Sequence, residues 1–182
     1  MRTTQLYNEL VQRINEAQQG VYLAPLFISG PPGIGKSRIA QSAAKDAGVP
    51  FYDNRLTLYD PTDVRGYPVP DHTNKTVEWW LPKTLPTKGP GLVAFEELNS
   101  APPLVQAATY QLFLDRKLGD YTVPEGVVLI ALGNRAEDRA ITFRMPSALA
   151  NRFVHVELDS PPNAEDWFNW AVENKVESRV VT

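Results

Sequence analysis

The chain has 182 residues, of which 43% are hydrophobic and 21% charged, so it is long enough to bury one substantial core. It contains no cysteine, which excludes disulfides, thiolate zinc sites and cysteine nucleophiles together. The formal net charge of −3 argues against a general polyanion-binding protein, although a local basic patch is compatible with it. No apolar run approaches the ~20 residues of a membrane span, and the first residues lack a secretory apolar segment, so we expect a cytoplasmic location.

Apolar spacing predicts short strands that alternate with helices. A first helix is expected to end near Gly20, and its apolar face consists of Leu6, Leu10, Val11, Ile14 and Ala17. Strands are predicted at residues 26–29, 51–56, 92–95 and 127–132, with a last strand marked by Val154 and Val156. Further helices are predicted at residues 39–47 and from Pro102 to about Arg116, the second burying Ala107, Tyr110, Leu112 and Leu114. This alternation is typical of a parallel sheet covered on both faces.

A glycine-rich phosphate-binding loop lies between the first strand and the helix that follows it. Its eight residues are Gly30, Pro31, Pro32, Gly33, Ile34, Gly35, Lys36 and Ser37. Glycines let the backbone turn so that successive N–H groups face the phosphates, and the positive end of the helix adds to the attraction. Lys36 would reach the β and γ phosphates, and the Ser37 hydroxyl would ligate Mg²⁺. The loop predicts a nucleoside triphosphate ligand without selecting adenine or guanine.

Candidate site residues follow two of the predicted strands and precede the last one. Glu96 and Glu97 come at the end of strand 92–95, at the sheet edge where ligands of open α/β sheets bind. One carboxylate can hold a metal ion while the next polarises a water molecule. Asn134, after strand 127–132, is placed to orient that water, or else belongs to a surface turn. Arg152 precedes the last strand and either faces a neighbouring subunit or forms a surface salt bridge.

The stretch 59–88 is a proline-rich excursion, with six prolines between residues 61 and 90. Residues 66–70 and 76–80 flank a turn-rich tip, which predicts a β-hairpin. Asp60, Pro61 and Asp63 are interpreted as turn residues. Trp79 and Trp80 either serve a function on this hairpin or pack the excursion onto the domain. A second short hairpin is predicted at residues 118–122.

Four motifs together resemble those of AAA+ ATPases, and more closely the MoxR group of that superfamily. They are Gly-Pro-Pro-Gly-Ile-Gly-Lys-Ser at 30–37 (Walker A), Leu-Val-Ala-Phe-Glu-Glu-Leu-Asn at 92–99 (Walker B), Leu-Gly-Asn-Arg at 132–135 (sensor 1) and Met-Pro-Ser-Ala-Leu-Ala-Asn-Arg-Phe at 145–153 (arginine-finger box). The resemblance spans roughly residues 20 to 160. It implies an α/β P-loop NTPase fold, the AAA+ large subdomain, with a parallel five-stranded sheet flanked by helices and a largely missing helical lid.

The resemblance implies ATP and Mg²⁺ as cofactors and a role for each matched residue. Lys36 and the loop amides would hold the phosphates, while Ser37 and Glu96 would position Mg²⁺. Glu97 would activate water, and Asn134 would align that water with the γ-phosphate. Walker B usually ends Asp-Glu, whereas here it ends Glu-Glu. Because glutamate is one methylene longer than aspartate, the position of the metal ion is expected to shift.

The resemblance also implies an assembly. Arg152 would supply positive charge to the transition state in an adjacent protomer, with Arg144 as the rival residue for this role. Self-association into a ring, a hexamer for a protein that contains the lid, and a protein client are the implied partners. A membrane partner is not expected, and the acidic charge balance makes nucleic acid an unlikely one.

The expected organisation has three parts: residues 1–20 as an N-terminal helix, 21–160 as the nucleotide-binding subdomain with 59–88 as its insert, and 161–182 as the start of an incomplete lid. In the last part, residues 163–177 are predicted to be helical, with Trp167, Phe168 and Trp170 as apolar contacts. The function implied is ATP hydrolysis that drives chaperone-like remodelling of a protein client. A nucleotide-binding switch or scaffold with little hydrolysis, and a nucleic-acid motor, are the alternatives.

Overall fold

A five-stranded parallel sheet organises the chain in the computed structural model, which describes residues 1–135 and 142–159 together with Phe168, Ala171 and Val172. The strands are β1 (Leu26–Ser29), β2 (Phe51–Arg55), β3 (Tyr67–Asp71), β4 (Thr76–Trp80), β5 (Gly91–Glu96), β6 (Lys117–Leu118), β7 (Tyr121–Thr122), β8 (Val127–Gly133) and β9 (Val154–Glu157). The helices are α1 (Thr3–Gln18), α2 (Lys36–Asp46), α3 (Pro61–Arg65), α4 (Pro103–Asp115) and α5 (Ser147–Ala150), and 3₁₀ turns lie at Leu56–Leu58 and Leu98–Ser100.

The order of strands in the main sheet is β2-β5-β8-β1-β9, and every neighbouring pair is parallel. The register aligns Ser29 at the end of β1 with Gly133 at the end of β8. It also aligns Arg55 at the end of β2 with Glu96 at the end of β5. Because parallel strands end at the same edge, the phosphate-binding loop, the paired glutamates and Asn134 all emerge together.

Both faces of the central strands β5 and β8 are buried, as the sequence predicts. Alternate residues of the central strands point to opposite sides: Leu92 and Ala94 pack with α1 and α2, whereas Val93 and Phe95 pack with α4. The α1 face is anchored by four fully or nearly fully buried side chains, Leu6, Leu10, Ile14 and Ala17. Strands covered on both sides need apolar residues throughout, which explains why β5 and β8 are continuous apolar runs in the sequence.

The predicted buried face of α4 is partly wrong. Leu112 is buried, but Ala107 is exposed and Tyr110 and Leu114 are only partly buried. The buried residues of α4 are Val105, Gln106, Ala108, Thr109, Leu112 and Phe113. This helix carries apolar residues on nearly all sides, so spacing along the sequence does not select the face that packs on the sheet.

The excursion after β2 contains the predicted hairpin, β3–β4, and one helix that the sequence interpretation missed. Asp60 and Asp63 are not simple turn residues: Asp60 is the N-cap of α3, and its backbone N–H donates to Asp63 Oδ2 at 2.8 Å in a capping box. Trp79 and Trp80 are 43% and 64% exposed. Trp80 is therefore mostly uncovered, whereas more than half of the Trp79 surface is covered, which is compatible with the packing alternative.

The second predicted hairpin is confirmed as β6–β7, which pairs Leu118 with Tyr121. The predicted lid segment 163–177, with Trp167 and Trp170, lies outside the described residues apart from Phe168, Ala171 and Val172. Among the described helices, none is both long and apolar enough to cross a bilayer.

Candidate nucleotide-binding site

The phosphate-binding loop follows β1 directly and runs into the N-terminus of α2. Gly33 and Gly35 adopt positive φ angles of +79° and +93°, a backbone conformation that L side chains rarely adopt. Gly35 is also the N-cap residue of α2, so the helix begins at Lys36 with its first N–H groups facing the cleft. The two glycines thus turn the chain tightly enough to present backbone donors to an anion.

The ammonium group of Lys36 lies across this loop. Its Nζ donates to the carbonyl oxygens of Gly30 at 2.8 Å and Pro31 at 2.9 Å, and it lies 3.5 Å from Asn134 Oδ1. These contacts hold the cation between the loop and the end of β8. A phosphate entering the cleft would meet it there and replace carbonyl partners by charged oxygens, which form stronger hydrogen bonds.

Ser37 and Glu96 meet at the next position in the cleft. The Ser37 hydroxyl donates to Glu96 Oε2 at 2.7 Å. Glu96 is 8% exposed, and its Oε1 has no hydrogen-bond partner among the described residues. Burial raises the pKa of the Glu96 carboxyl, and the negative charges of Asp53 and Glu97 act in the same direction, against the hydrogen bond from Ser37 and the charge of Arg55. The site therefore contains a buried carboxylate oxygen that lacks a positive partner.

These residues fit a magnesium ion. A hydroxyl and a carboxylate are hard oxygen donors, and Mg²⁺ at nucleotide sites is held by one or two such groups together with phosphates and water. No cluster of three or more histidine, aspartate or glutamate side chains that would form an all-protein metal cage occurs in the described ranges. The unpartnered Glu96 Oε1 is the group that a cation bound beside Ser37 would neutralise.

Glu97 has a different environment from its neighbour. Its backbone is left-handed, with φ 58° and ψ 34°, which turns its side chain out of β5 to an exposed position at the mouth of the cleft. There its Oε2 accepts a hydrogen bond from the Thr57 hydroxyl at 2.7 Å. The two adjacent glutamates thus have different surroundings: the Glu96 carboxylate is buried beside Ser37, and the Glu97 carboxylate is accessible beside Thr57. Thr57, the second residue of the 3₁₀ turn after β2, has no local pattern in the sequence that marks it as a site residue.

Asn134 is held by a side chain that the sequence analysis also missed, Asn99. The Asn99 amide contacts both the N–H and the C=O of Asn134. The Asn134 side chain thereby lies next to Lys36. Asn99 falls within the 92–99 motif, so its position was visible in the sequence, but its partner across the strand was not.

The converging groups enclose a cleft of ≈ 280 Å³. It is lined by five of the predicted residues of the loop and helix start, by Arg38, by Glu96 and Glu97, and by the end of β8 including Asn134. Of the other predicted loop residues, Gly30 and Pro31 contact Lys36 through their carbonyl groups, and Ile34 packs against the α1–α2 core. Arg38 was not predicted to line the site.

The two arginines predicted as rival fingers are not part of this cleft. Arg152 and Arg144 are both exposed, and neither lines it. In the part of the chain that the structure describes, neither forms a salt bridge, so the surface ion pair considered for Arg152 is not seen there. A role for either residue at this site requires a second molecule.

No protein-family model matches the sequence, and no curated protein matches it either. Solved structures do match the fold. A candidate ATPase of Cytophaga hutchinsonii aligns with a TM-score of 0.62 and 16% identity over 96% of this chain and 58% of its own. A P216G mutant of RuvB from Thermotoga maritima aligns with a TM-score of 0.64 and 16% identity over 96% of this chain and 52% of its own. NtrX from Brucella abortus aligns at 0.53 and 21% identity, over 92% and 39%.

These likenesses confirm the predicted fold, an α/β P-loop domain with a five-stranded parallel sheet flanked by helices. The assignment to the AAA+ superfamily stays a prediction. The chain spans about half the length of the first matching structures. The narrower assignment to the MoxR group stays a prediction.

The buried charge of Glu96 leads to a prediction about stability. Because burial raises its pKa, the folded chain holds this proton more tightly than the unfolded chain; the resulting stabilisation is complete below the unfolded pKa and is lost as the pH rises through the folded pKa. We expect Glu96→Gln to raise the Tm of the nucleotide-free chain at about pH 8, and the gain to shrink towards about pH 5. Thermal unfolding followed by circular dichroism measures this. Glu97→Gln, which changes an exposed carboxylate, is the matched control, and an equal gain at both pH values would contradict the interpretation.

Proposed function

We propose that this chain binds ATP together with Mg²⁺ and hydrolyses the γ-phosphate. The observation that carries the proposal is the convergence of Lys36, Ser37, Glu96, Glu97 and Asn134 on one cleft at the carboxyl edge of the sheet. A glycine-rich turn with no ligand would not need a buried carboxylate with one unpartnered oxygen beside a helix N-terminus, because such a group costs stability. A bound cation explains the buried carboxylate, and a bound polyphosphate explains the glycine-rich turn at the helix N-terminus.

In this proposal each residue acts on a different part of the substrate. The loop N–H groups and Lys36 bind the phosphates and neutralise charge that spreads over them during transfer. Glu97 accepts a proton from the attacking water, for which its exposed position at the mouth of the cleft is suitable. The Asn134 amide orients that water. The magnesium ion, held by Ser37 and Glu96, supplies positive charge to the phosphate oxygens.

Phosphate release by the 182-residue chain tests this proposal against the switch or scaffold alternative. We expect release that requires Mg²⁺ and stops when the ion is chelated. GTP in place of ATP tests the choice of base, for which the loop provides no selective contact. Nucleotide binding without any release, under conditions where chains are shown to associate, would favour the switch.

We propose that hydrolysis is completed by a neighbouring copy in a ring, with Arg152 as the contributed cation and Arg144 as its rival. Both side chains are exposed, and neither forms a salt bridge among the described residues. Either guanidinium group is therefore accessible to a second molecule. Mixing Arg152→Ala chains with Lys36→Ala chains should restore part of the activity, because some interfaces pair an intact loop with an intact arginine.

The control for this experiment is the same mixture with Arg144→Ala in place of Arg152→Ala. Recovery with Arg152→Ala chains alone supports the proposal. Recovery with Arg144→Ala chains alone assigns the role to the rival residue. No recovery in either mixture, when mixed assembly is demonstrated by labelled chains, would contradict action between copies.

We propose that the client is a protein and that it contacts the β3–β4 hairpin. Tyr67 and Trp80 are paired across this ribbon and are 57% and 64% exposed, so they present large aromatic surfaces that a client would cover. A nucleic-acid client is the second candidate. It is favoured by the likeness to a structure described as the Thermotoga maritima RuvB Holliday junction branch migration motor, which aligns with a TM-score of 0.62 and 14% identity. This likeness weakens the expectation, drawn from charge, that nucleic acid is an unlikely partner.

Stimulation of phosphate release by an unfolded protein, a DNA duplex and a four-way DNA junction separates the two client classes. We expect the unfolded protein to stimulate the wild type and to have less effect on Trp80→Ala. Stimulation by the junction alone would replace the protein client with a nucleic acid.

A further inference from the structure

Asn99 connects the turn after β5 with the end of β8 and with the segment that precedes Arg144. Its side-chain Nδ2 donates to the backbone oxygen of Asn134 at 2.7 Å, and its Oδ1 accepts from the backbone N–H of Asn134 at 3.1 Å. Its own backbone oxygen accepts from the N–H of Phe143 at 2.7 Å. One asparagine therefore satisfies both backbone groups of Asn134 and anchors the segment that leads into Arg144.

The end of β8 is shaped to admit this contact. A Cβ atom on Gly133 would lie 2.6 Å from Asn99 Oδ1 and 2.5 Å from Phe27 Cζ, distances that real Cβ atoms essentially never show. A side chain at position 133 would therefore push Asn99 away from Asn134. The absence of a side chain at this position and the two-point hydrogen bonding are separate observations that agree.

Asn99 is also close in the chain to the proposed base. It lies in the 3₁₀ turn that begins at the end of β5, two residues after Glu97. The backbone N–H groups of Ser100 and Ala101 donate to the Glu97 carbonyl oxygen at 2.9 and 3.0 Å, which makes this turn a short, fixed link. Asn99 therefore links the backbone of Asn134 to the backbone of Glu97 at the ends of two neighbouring strands, β8 and β5.

We propose that Asn99 is a positioning residue that sets the distance between the Asn134 amide and the Glu97 carboxylate, and thereby the placement of the attacking water. The proposal rests on the proposed function, since it assigns a role in hydrolysis. Asn99 itself does not line the cleft, so it acts through Asn134. Removing its side chain should leave Lys36 and Ser37 in place to bind phosphate and Mg²⁺, while the Asn134 amide loses its fixed position.

Amide hydrogen exchange tests the hydrogen bonds between Asn99 and the Asn134 backbone without any need for activity. In the wild type, the Asn134 N–H is bonded to Asn99 Oδ1, and we expect Asn99→Ala to speed its exchange at least about tenfold, the effect of losing one hydrogen bond of about 1.4 kcal/mol. The matched control is Thr109→Ala, which removes a buried hydroxyl of α4 that bonds the Gln106 carbonyl, away from the cleft. Equal exchange in the wild type and Asn99→Ala would overturn the proposal.

Kinetics then test the role in hydrolysis. We expect Asn99→Ala to lower kcat at least about tenfold while the ATP dissociation constant changes less than about twofold, and Thr109→Ala to change neither. If Asn99 acts through Asn134, the double variant Asn99→Ala/Asn134→Ala should be no more than about twofold slower than Asn134→Ala alone. Effects that multiply in the double variant, or a loss of ATP affinity equal to the loss of kcat, would contradict positioning.

If Asn99→Ala fails to fold, Asn99→Asp has nearly the same shape, keeps the acceptor for the Asn134 N–H and replaces the donor to the Asn134 oxygen by a charged oxygen. The expected result is again a lower kcat with ATP affinity retained, and wild-type kcat in this variant would overturn the proposal. A wild-type chain that binds ATP and releases no phosphate would instead contradict the proposed function. In that case hydrogen exchange alone decides whether Asn99 holds the Asn134 backbone.

Discussion

We expect Glu97→Gln to bind ATP as tightly as the wild type and to release phosphate at least about 100-fold more slowly, the range in which a general base contributes. The amide keeps the size of the side chain but cannot take a proton from water. It can still accept the hydrogen bond from Thr57 that holds Glu97 in the structure, so the local arrangement should be retained. Steady-state phosphate release and a binding titration on the same preparation measure the two quantities.

Glu96→Gln is the control for this prediction because the two residues are adjacent and have different surroundings. Glu96 is buried beside Ser37, and its replacement should increase the Mg²⁺ concentration needed for half-maximal activity. Normal phosphate release by both variants would contradict the assignment of the two carboxylates. A loss of ATP binding in Glu97→Gln would show that this residue acts in binding and not as the base.

Lys36→Ala should weaken ATP binding at least about 100-fold, since two charge-assisted hydrogen bonds to phosphate at about 1.5 kcal/mol each are lost. The structure places the ammonium group beside the Gly30 and Pro31 carbonyl oxygens and the Asn134 amide, at the centre of the cleft. Calorimetric titration with Mg²⁺ and ATP measures the change. Lys45→Ala removes a lysine from the last turn of the same helix and is the matched control.

Retained affinity in a folded Lys36→Ala chain would contradict the loop assignment. Circular dichroism of both lysine variants establishes that they are folded. Weakened binding in Lys45→Ala as well would indicate that the general charge of α2, rather than the position of Lys36, attracts the nucleotide.

The sheet and the positions of the main site residues could be predicted from the sequence because each depends on a local pattern. β5 and β8 are buried on both faces and hence read as unbroken apolar runs, and the loop glycines mark positions that need positive φ. Parallel strands end at one edge, so residues that follow them converge without further information. This is why Glu96, Glu97 and Asn134 were placed near Lys36.

Contacts between segments that are distant in sequence could not be predicted in this way. Thr57 bonds Glu97 across 40 residues and Asn99 bonds Asn134 across 35, and no local pattern distinguishes a polar residue that has such a partner from one in an ordinary turn. The buried face of α4 was missed for a related reason, because a helix with apolar residues on most sides is oriented by its neighbours. Asp60 was taken for a turn residue, since a five-residue helix has too little periodicity to recognise.

The central claim is that one cleft, at the carboxyl edge of the sheet, binds a nucleoside triphosphate with its metal ion. Titration of the isotope-labelled chain with Mg²⁺ and a non-hydrolysable ATP analogue, followed by amide NMR, tests both binding and location. We expect the largest chemical-shift changes at Gly33, Gly35, Lys36 and Ser37 and smaller ones at Asn134. No change is expected around Gly126, at the opposite edge of the sheet. An absence of shifts at millimolar analogue, or shifts confined to other parts of the chain, would contradict this claim.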